Sequence, residues 1–187
     1  YDDNAGNAVG DVVFGGAGKP DESLQFMSVT QIQAPVSADS DSALIIRGDV
    51  QLRRHEDNGR ADYDVFALDA GFTGPIGNLT WTLQGEALRV NVNTQKYLNR
   101  RGGSARLQGA LGDVTQWSAK VALYDEDFDN LNFTTNEPER SGGRLNAELG
   151  LSRQIGSRLN VNLTGLYERK SAKNDALAYD SLGARFR

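Results

Sequence analysis

The stretch SRQIGSRLNVNLTGLYERK, residues 152–170, decides the fold class. From Arg158 to Thr164 polar and apolar side chains alternate one by one, which is the period of a β-strand with one wet and one dry face. In a soluble sandwich the dry face points into the protein, whereas in a transmembrane barrel it points out to lipid. The choice between these two architectures therefore decides what the chain does.

Composition limits the classes of protein to which the chain can belong. Its 187 residues suit one domain, and we expect a single domain over 1–187, in which residues 1–23 are irregular or form a weak first strand. Only 39% of the residues are hydrophobic, which is low for a core of this size and typical of strands with one polar side. A net charge of -5 with scattered Lys and Arg argues against a nucleic-acid partner. The chain has no cysteine and no apolar run long enough for a transmembrane helix.

Alternating segments of the same kind recur along the whole chain. They lie at 43–54, 62–73, 78–92, 105–111, 117–124, 145–152 and 182–187, with a rougher one at 24–34. No segment of comparable length has the helical period. Within 78–92 the alternation changes phase at Leu88, which predicts a β-bulge there.

The connections between these segments alternate in length. Short turns are predicted at 35–42, 74–77, 112–115 and 153–156, and long polar loops at 55–61, 93–103, 127–143 and 170–175. This pattern predicts an up-and-down meander with every short turn at one end and every long loop at the other. Counting Ala8 to Phe14 as a strand gives about ten strands, which fits either a closed ten-stranded barrel or part of a larger one. We predict an all-β, antiparallel up-and-down transmembrane β-barrel.

The polar face of the predicted strands is rich in charge, and an isolated charge in a dry core costs several kcal/mol. A wet lumen tolerates such residues, although a soluble sheet with one solvated face would produce the same alternation. The residues predicted to line the lumen are Arg47, Asp49, Gln51, Arg53, Gln84, Glu86, Arg106, Gln108, Lys120, Asn146, Glu148, Arg158, Asn160, Asn162 and Arg185. The aromatic residues predicted to face lipid are Phe66, Phe72, Trp81, Trp117 and Tyr167.

Three local motifs invite a chemical interpretation, and each departs from the pattern that its chemistry needs. The GGAGK stretch at 15–19 resembles a phosphate-binding loop, but Val13 replaces the first glycine and Pro20 the hydroxyl residue. Asp125 to Asn130 begins like a calcium loop and lacks its sixth-position glycine and twelfth-position glutamate. His55 is the one histidine, and the sequence contains no G-x-S-x-G nucleophile motif with which it could act as a catalytic base. We expect it to be a solvated loop residue. We predict no catalytic residue, metal site or cofactor, and no enzymatic activity.

Two stretches resemble a known family of outer-membrane proteins. The opening Tyr1-Asp2-Asp3-Asn4 is similar to the start of the barrel in the surface lipoprotein assembly modifier family. The ERKSAKNDALAYDSLGARFR stretch at 168–187 resembles a charged loop leading into a strand with Tyr and Gly, and the hairpin layout from Ala43 to Arg187 is similar too. In that family helical repeats precede a larger barrel. No counterpart of the repeats stands in this sequence, so we expect a piece of a longer protein.

These observations favour a barrel in the bacterial outer membrane that acts in transport or secretion. The resemblance implies a role in moving lipoproteins or another secreted substrate to the surface, with a periplasmic helical-repeat domain as a partner. A general porin or polysaccharide-export channel is the alternative, and a structural or adhesive barrel acting through its extracellular loops is the third. Outer-membrane lipid is the expected surrounding in each case.

Overall fold

The computed structural model of the chain describes residues 8–9, 12–13, 23–37, 40–55, 62–131, 134, 136–156 and 159–186. The strands are β1 (Ala8–Val9), β2 (Val12–Val13), β3 (Ser23–Pro35), β4 (Ala43–His55), β5 (Tyr63–Ile76), β6 (Leu79–Val92), β7 (Gln95–Ala110), β8 (Thr115–Phe128), β9 (Gly142–Ile155), β10 (Leu159–Lys170) and β11 (Tyr179–Phe186). Short 3-10 helices at Glu137–Arg140 and Asp175–Leu177 lie in the connections after β8 and β10. The described residues include no helix long and apolar enough to cross a membrane.

One antiparallel sheet contains nine of these strands in chain order, from β3 at one edge to β11 at the other. This arrangement confirms the predicted all-β, up-and-down fold. The sheet is open, because within the described residues β3 and β11 each pair on one side only. An even number of antiparallel steps separates the two edge strands, so they run in the same direction. Direct pairing between them would be parallel, and an antiparallel closure requires an odd number of additional strands.

The predicted weak strand at Ala8 to Phe14 does not join this sheet. β1 and β2 instead pair with each other as a separate ladder of two residues each, and Phe14 lies outside the described residues. A hairpin this short buries too little surface to be stable alone. The strand count of about ten is therefore corrected to nine in one sheet within the described part of the chain.

The connection between β6 and β7 corrects the predicted long loop at 93–103. It is a two-residue turn of Asn93 and Thr94, whose φ angles are 46° and 65°. Positive φ at both central residues is the type I′ geometry that matches the twist of a hairpin. β7 then begins at Gln95, so long and short connections do not alternate strictly. We call the end of the sheet that carries this turn and the connections after β4, β8 and β10 the loop end, and the opposite end the turn end.

The phase change at Leu88 has a different cause from the predicted bulge. β6 pairs with β5 without interruption from Leu79 to Val92, so Leu88 and Val90 stay on the face that carries the charges. The register shift lies further along, between Val90 and Asn91, in the pairing with β7. The alternation fails because apolar residues occupy the polar face near the loop end. They pack in a buried cluster of Tyr63, Val90, Val92, Tyr97, Leu98, Phe128 and Leu131.

The two faces of the sheet differ in exposure in the opposite sense to a soluble protein. Along the central parts of β5 and β6 the side chains of the polar face are half-buried, whereas those of the apolar face are exposed. On β9, Leu149 of the apolar face is 69% exposed, whereas the neighbouring Glu148 of the polar face is half-buried. The sheet thus wraps around its polar face and presents its apolar face outward.

Candidate functional site on the polar face

The hydrogen-bond register brings the predicted lumen-lining residues onto one face. Pairs such as Arg47 with Asp69, Asp69 with Glu86 and Arg106 with Lys120 stand directly opposite each other on neighbouring strands. The predicted residues on this face are Arg47, Asp49, Gln51, Arg53, Gln84, Glu86, Arg106, Gln108, Lys120, Asn146, Glu148, Asn160, Asn162 and Arg185. Arg158 lies outside the described residues. That this face lines a lumen stays a prediction.

The aromatic residues predicted to face lipid lie on the opposite face. Phe66 and Phe72 share a side of β5 with Leu68, and that side alternates with the one that carries Asp69. Trp81, Trp117 and Tyr167 belong to the same face through their cross-strand partners Leu107, Leu151 and Ala147. Their contact with lipid stays a prediction.

A network of polar contacts crosses the middle of the polar face. The Tyr124 hydroxyl donates to Glu86 Oε2 at 2.6 Å, and Lys120 Nζ lies 3.7 Å from Glu86 Oε1. The Arg100 guanidinium stacks 4.7 Å from the centre of the Tyr124 ring. These contacts pair acidic with basic or hydroxyl groups across neighbouring strands, and such cross-strand pairs stabilise the sheet.

Nearer the loop end, one buried carboxylate collects three cations. Glu126 is 2% exposed, and Lys170 Nζ lies 3.0 Å from its Oε2. Arg144 Nε and Arg100 Nη1 lie 3.4 Å and 3.9 Å from its Oε1. We call these four residues the Glu126 cluster. Sequence reasoning missed it because Glu126 was considered only as part of the stretch that begins like a calcium loop, although continuing the alternation of β8 would have placed it on the polar face.

The connection between β8 and β9 folds back onto this end of the polar face. The Tyr97 hydroxyl donates to Glu137 Oε2 at 2.9 Å and accepts from Arg140 Nη1 at 2.8 Å. Arg140 also lies over the Phe128 ring, 4.9 Å from its centre. Burial raises the pKa of the Tyr97 hydroxyl, so this group keeps its proton and remains a hydrogen-bond donor. Tyr97 lies at the loop end of β7, before the part of the strand that presents apolar side chains outward. These contacts tie the connection down as a cap.

The acidic stretch that begins like a calcium loop is occupied by internal partners. Asp125 pairs with Arg101 at 3.2 Å, while Lys96 Nζ lies 3.6 Å from Asp127 and 2.6 Å from Asp129. Among the residues that the structure describes, no group of three acidic or histidine side chains is arranged to hold a metal ion. The carboxylates on this stretch therefore act as ion-pair partners.

His55 is not the solvated loop residue that its sequence position suggested. It ends β4 with its side chain only 2% exposed, and its Nδ1 lies 3.5 Å from Asp62 Oδ1. The same carboxylate oxygen accepts the His55 backbone N–H at 2.6 Å. Neither ring nitrogen makes a hydrogen bond within the described residues. The arrangement places an acid next to a buried imidazole at the loop end.

Two of the cavities along the sheet lie near its two ends. One of about 740 Å³ lies at the loop end beside Arg100, Glu126 and Lys173. The other, of about 410 Å³, lies toward the turn end and has a single charged residue, Arg106, in its lining. Its remaining polar-face lining carries amides and hydroxyls: Thr80, Gln108, Gln116, Ser118, Ser152, Asn162 and Thr164. We call it the Arg106 cavity.

Comparison with known proteins supports the fold and gives no further information about function. No family model matches the chain, and no curated protein matches it. Among solved structures, the chain is similar to the outer-membrane expressed OmpT of Vibrio cholerae, with a TM-score of 0.52 and 12% sequence identity. The likeness covers 87% of this chain and 56% of that one, so the chain spans little more than half of its neighbour's length.

This likeness corrects the prediction that the chain is not an enzyme. The neighbour is an outer-membrane barrel protein of very different sequence, so the shared feature is a fold, and a fold does not exclude catalysis. The exclusion rested on missing sequence motifs, and the buried pair of His55 and Asp62 was not visible at that level. The prediction that the chain has no enzymatic activity is therefore withdrawn.

The likeness does not extend to the family suggested by the sequence resemblance. The neighbour is an outer-membrane barrel, and no finding links the chain to lipoprotein assembly modifiers in particular. What stands is the coarser statement: the chain has the fold of an outer-membrane β-barrel.

Proposed function

We propose that the chain forms part of the wall of a barrel in the bacterial outer membrane, and that its polar face lines a hydrated path for polar solutes. The single observation that carries this proposal is the inverted exposure of the two faces. Large apolar side chains such as Leu123 and Leu149 are exposed, while charged side chains such as Asp69 and Glu86 on the other face are half-buried. Contiguous apolar surface of this extent is not stable in water, and lipid is the solvent that suits it.

The same proposal requires that the edges of the sheet find partners. Lipid offers no hydrogen bonds to backbone groups, so only a closed sheet is stable within a bilayer. The neighbouring structure is longer than the region matched here, which supports a wall completed by further strands. Pairing of β3 and β11 with such strands would satisfy both edges.

Ion conductance across a planar bilayer tests the proposed path. The protein extracted from the outer membrane in detergent, together with the strands that complete its wall, should produce discrete conductance steps after reconstitution. Replacing Lys120 with Glu reverses one charge on the polar face and should shift the ratio of anion to cation permeability toward cations. Replacing Arg89 with Glu reverses a charge on the outer face and should leave that ratio unchanged. Absence of steps, or an equal effect of both variants, would overturn the proposal.

Movement of a lipoprotein or another secreted polypeptide to the surface is the second candidate. Its support is the resemblance of the hairpin layout and of the 168–187 stretch to lipoprotein assembly modifiers. A periplasmic helical-repeat domain would then act with the barrel. Sequencing the complete gene tests this version, because it requires helical repeats upstream of Tyr1, and a gene without them would contradict it.

A further inference from the structure

The Arg106 cavity lies near the turn end of the polar face. Arg106 on β7 stands directly opposite Lys120 on β8, so two cations are cross-strand neighbours on the same face. Side chains at such positions lie close together, and like charges there destabilise the sheet. Other like-charged neighbours occur on this face, but Lys170 and Arg144 share the carboxylate of Glu126. The pair of Arg106 and Lys120 has no carboxylate of this kind beside Arg106 within the described residues, so an added anion would relieve its repulsion.

Among the residues that the structure describes, Lys120 has a counter-ion and Arg106 has none. Lys120 Nζ lies 3.7 Å from Glu86, whereas no carboxylate within the described residues lies at ion-pair distance from Arg106. Glu148 is the nearest acid in the same register row, and it stands beyond Lys120 on β9. The guanidinium is exposed to the cavity, with five donors available to a planar acceptor.

The residues around Arg106 offer hydrogen-bonding groups beyond those that a free inorganic ion would use. Hydroxyls of Thr80, Ser118 and Thr164 and the amides of Gln108 and Asn162 line the same cavity. These groups both donate and accept hydrogen bonds, as sugar hydroxyls do. A volume of about 410 Å³ falls in the range of pockets that hold small ligands.

We propose that the Arg106 cavity is a binding site for a small polyhydroxylated anion, such as a sugar acid or a sugar phosphate. Arg106 holds the carboxylate or phosphate in a forked hydrogen bond, and the amides and hydroxyls bind the sugar hydroxyls. The bound anion also neutralises the repulsion between Arg106 and Lys120. The site rests on the proposed hydrated face and names the class of solute that it selects.

Calorimetric titration of the detergent-solubilised full chain tests the site at low salt. The probes are glucuronate, glucose 6-phosphate, glucose and inorganic phosphate, which separate the contributions of the anionic group and the hydroxyls. We expect glucuronate or glucose 6-phosphate to bind more tightly than both glucose and phosphate. Raising the salt concentration should weaken binding of the anions and leave glucose unaffected.

Variants assign the binding to Arg106. Arg106→Gln should weaken binding of the sugar anion by about tenfold or more, and Arg106→Lys by less, because Lys keeps the charge and loses the fork. Arg89→Gln is the matched control, since Arg89 is also exposed and has no ion pair within the described residues, but lies on the outer face. Its binding should equal that of the wild type.

The outcomes separate this inference from the proposed function. Sugar anions that bind no better than glucose, or equally well to the wild type and Arg106→Gln, overturn the site even if the protein conducts ions. Arg106-dependent binding by a protein that never conducts upholds the site and overturns the path. Equal weakening by Arg106→Gln and Arg89→Gln indicates adsorption by net charge and also overturns the site.

Discussion

Glu126 on β8 and Lys170 on β10 are joined by a 3.0 Å contact between Oε2 and Nζ that spans the intervening strand β9. Both side chains are almost fully buried, and Arg144 on β9 approaches the same carboxylate. Three strands are thereby tied at one point. Burial reduces solvent screening, so the attraction within the Glu126 cluster is stronger than that of an exposed pair at the same distance.

Replacing Glu126 with Gln should strongly destabilise the protein. The change leaves buried cations without their common counter-ion, and breaking a buried pair in this way typically costs about 3–5 kcal/mol. The measurement is urea unfolding in detergent followed by tryptophan fluorescence. Asp125→Asn is the control, because its pair with Arg101 is exposed and should contribute about 1 kcal/mol or less. Equal losses in the two variants would contradict the role of the cluster.

Replacing Tyr97 with Phe should release the connection that caps the loop end. The variant keeps the ring that packs on Phe128 and removes the hydroxyl shared by Glu137 and Arg140. Losing such hydrogen bonds costs about 1 kcal/mol, which is roughly a fivefold rise in the open population. Trypsin cleavage after Arg140 should accelerate accordingly. Tyr167→Phe removes a hydroxyl on the outer face and should leave the rate unchanged, and equal rates in all three proteins would refute the cap.

Replacing Gly102 with Ala should distort the contact between β7 and β8. A Cβ there would lie 2.0 Å from the Leu123 carbonyl oxygen and 2.8 Å from Cδ1 of the Tyr124 ring. Overpacking of this kind costs about 1–3 kcal/mol. Gly48→Ala is the control, because a Cβ at Gly48 would have no neighbour within 4 Å. Thermal unfolding should show a lower midpoint for the first variant only, and an unchanged midpoint would show that the strands can shift without cost.

Replacing Thr94 with Gly should stabilise the β6–β7 hairpin. Thr94 has a φ of 65°, where a β-branched side chain is strained by about 1–2 kcal/mol. The change yields the Asn-Gly pair that type I′ turns prefer. The midpoint of urea unfolding should rise, whereas Thr80→Gly, within β6, should lower it. A fall for Thr94→Gly would mean that the strain is absent.

The strands with clean alternation could be predicted closely from the sequence. The segment at 43–54 corresponds to β4, because one apolar and one polar face produce a period of two wherever the strand is half enclosed. The first part of β7 could not be predicted, since Lys96, Arg100 and Arg101 put charge on both faces and erase that signal. Charge-rich strand ends of this kind are easily mistaken for loops.

The candidate site was predictable only as a face. Alternation placed Glu86, Arg106 and Lys120 together on one side, but it could not say which strand position faces which. That depends on the register of the whole sheet, which brings Arg106 opposite Lys120 and Glu126 near Lys170. The position of the β8–β9 connection depends on tertiary contacts such as that between Tyr97 and Glu137, which lie 40 residues apart in the chain.

The central claim is that the polar face is wet and the apolar face contacts lipid, and single-cysteine labelling tests it most directly. The chain has no cysteine of its own, so each introduced thiol is the only one. Ser118 and Val121 are near neighbours on β8 that point to opposite faces. In lipid vesicles, a charged maleimide should label Ser118→Cys readily and Val121→Cys hardly at all. Labelling of Val121→Cys with protection of Ser118→Cys, or equal labelling of both, would contradict the account.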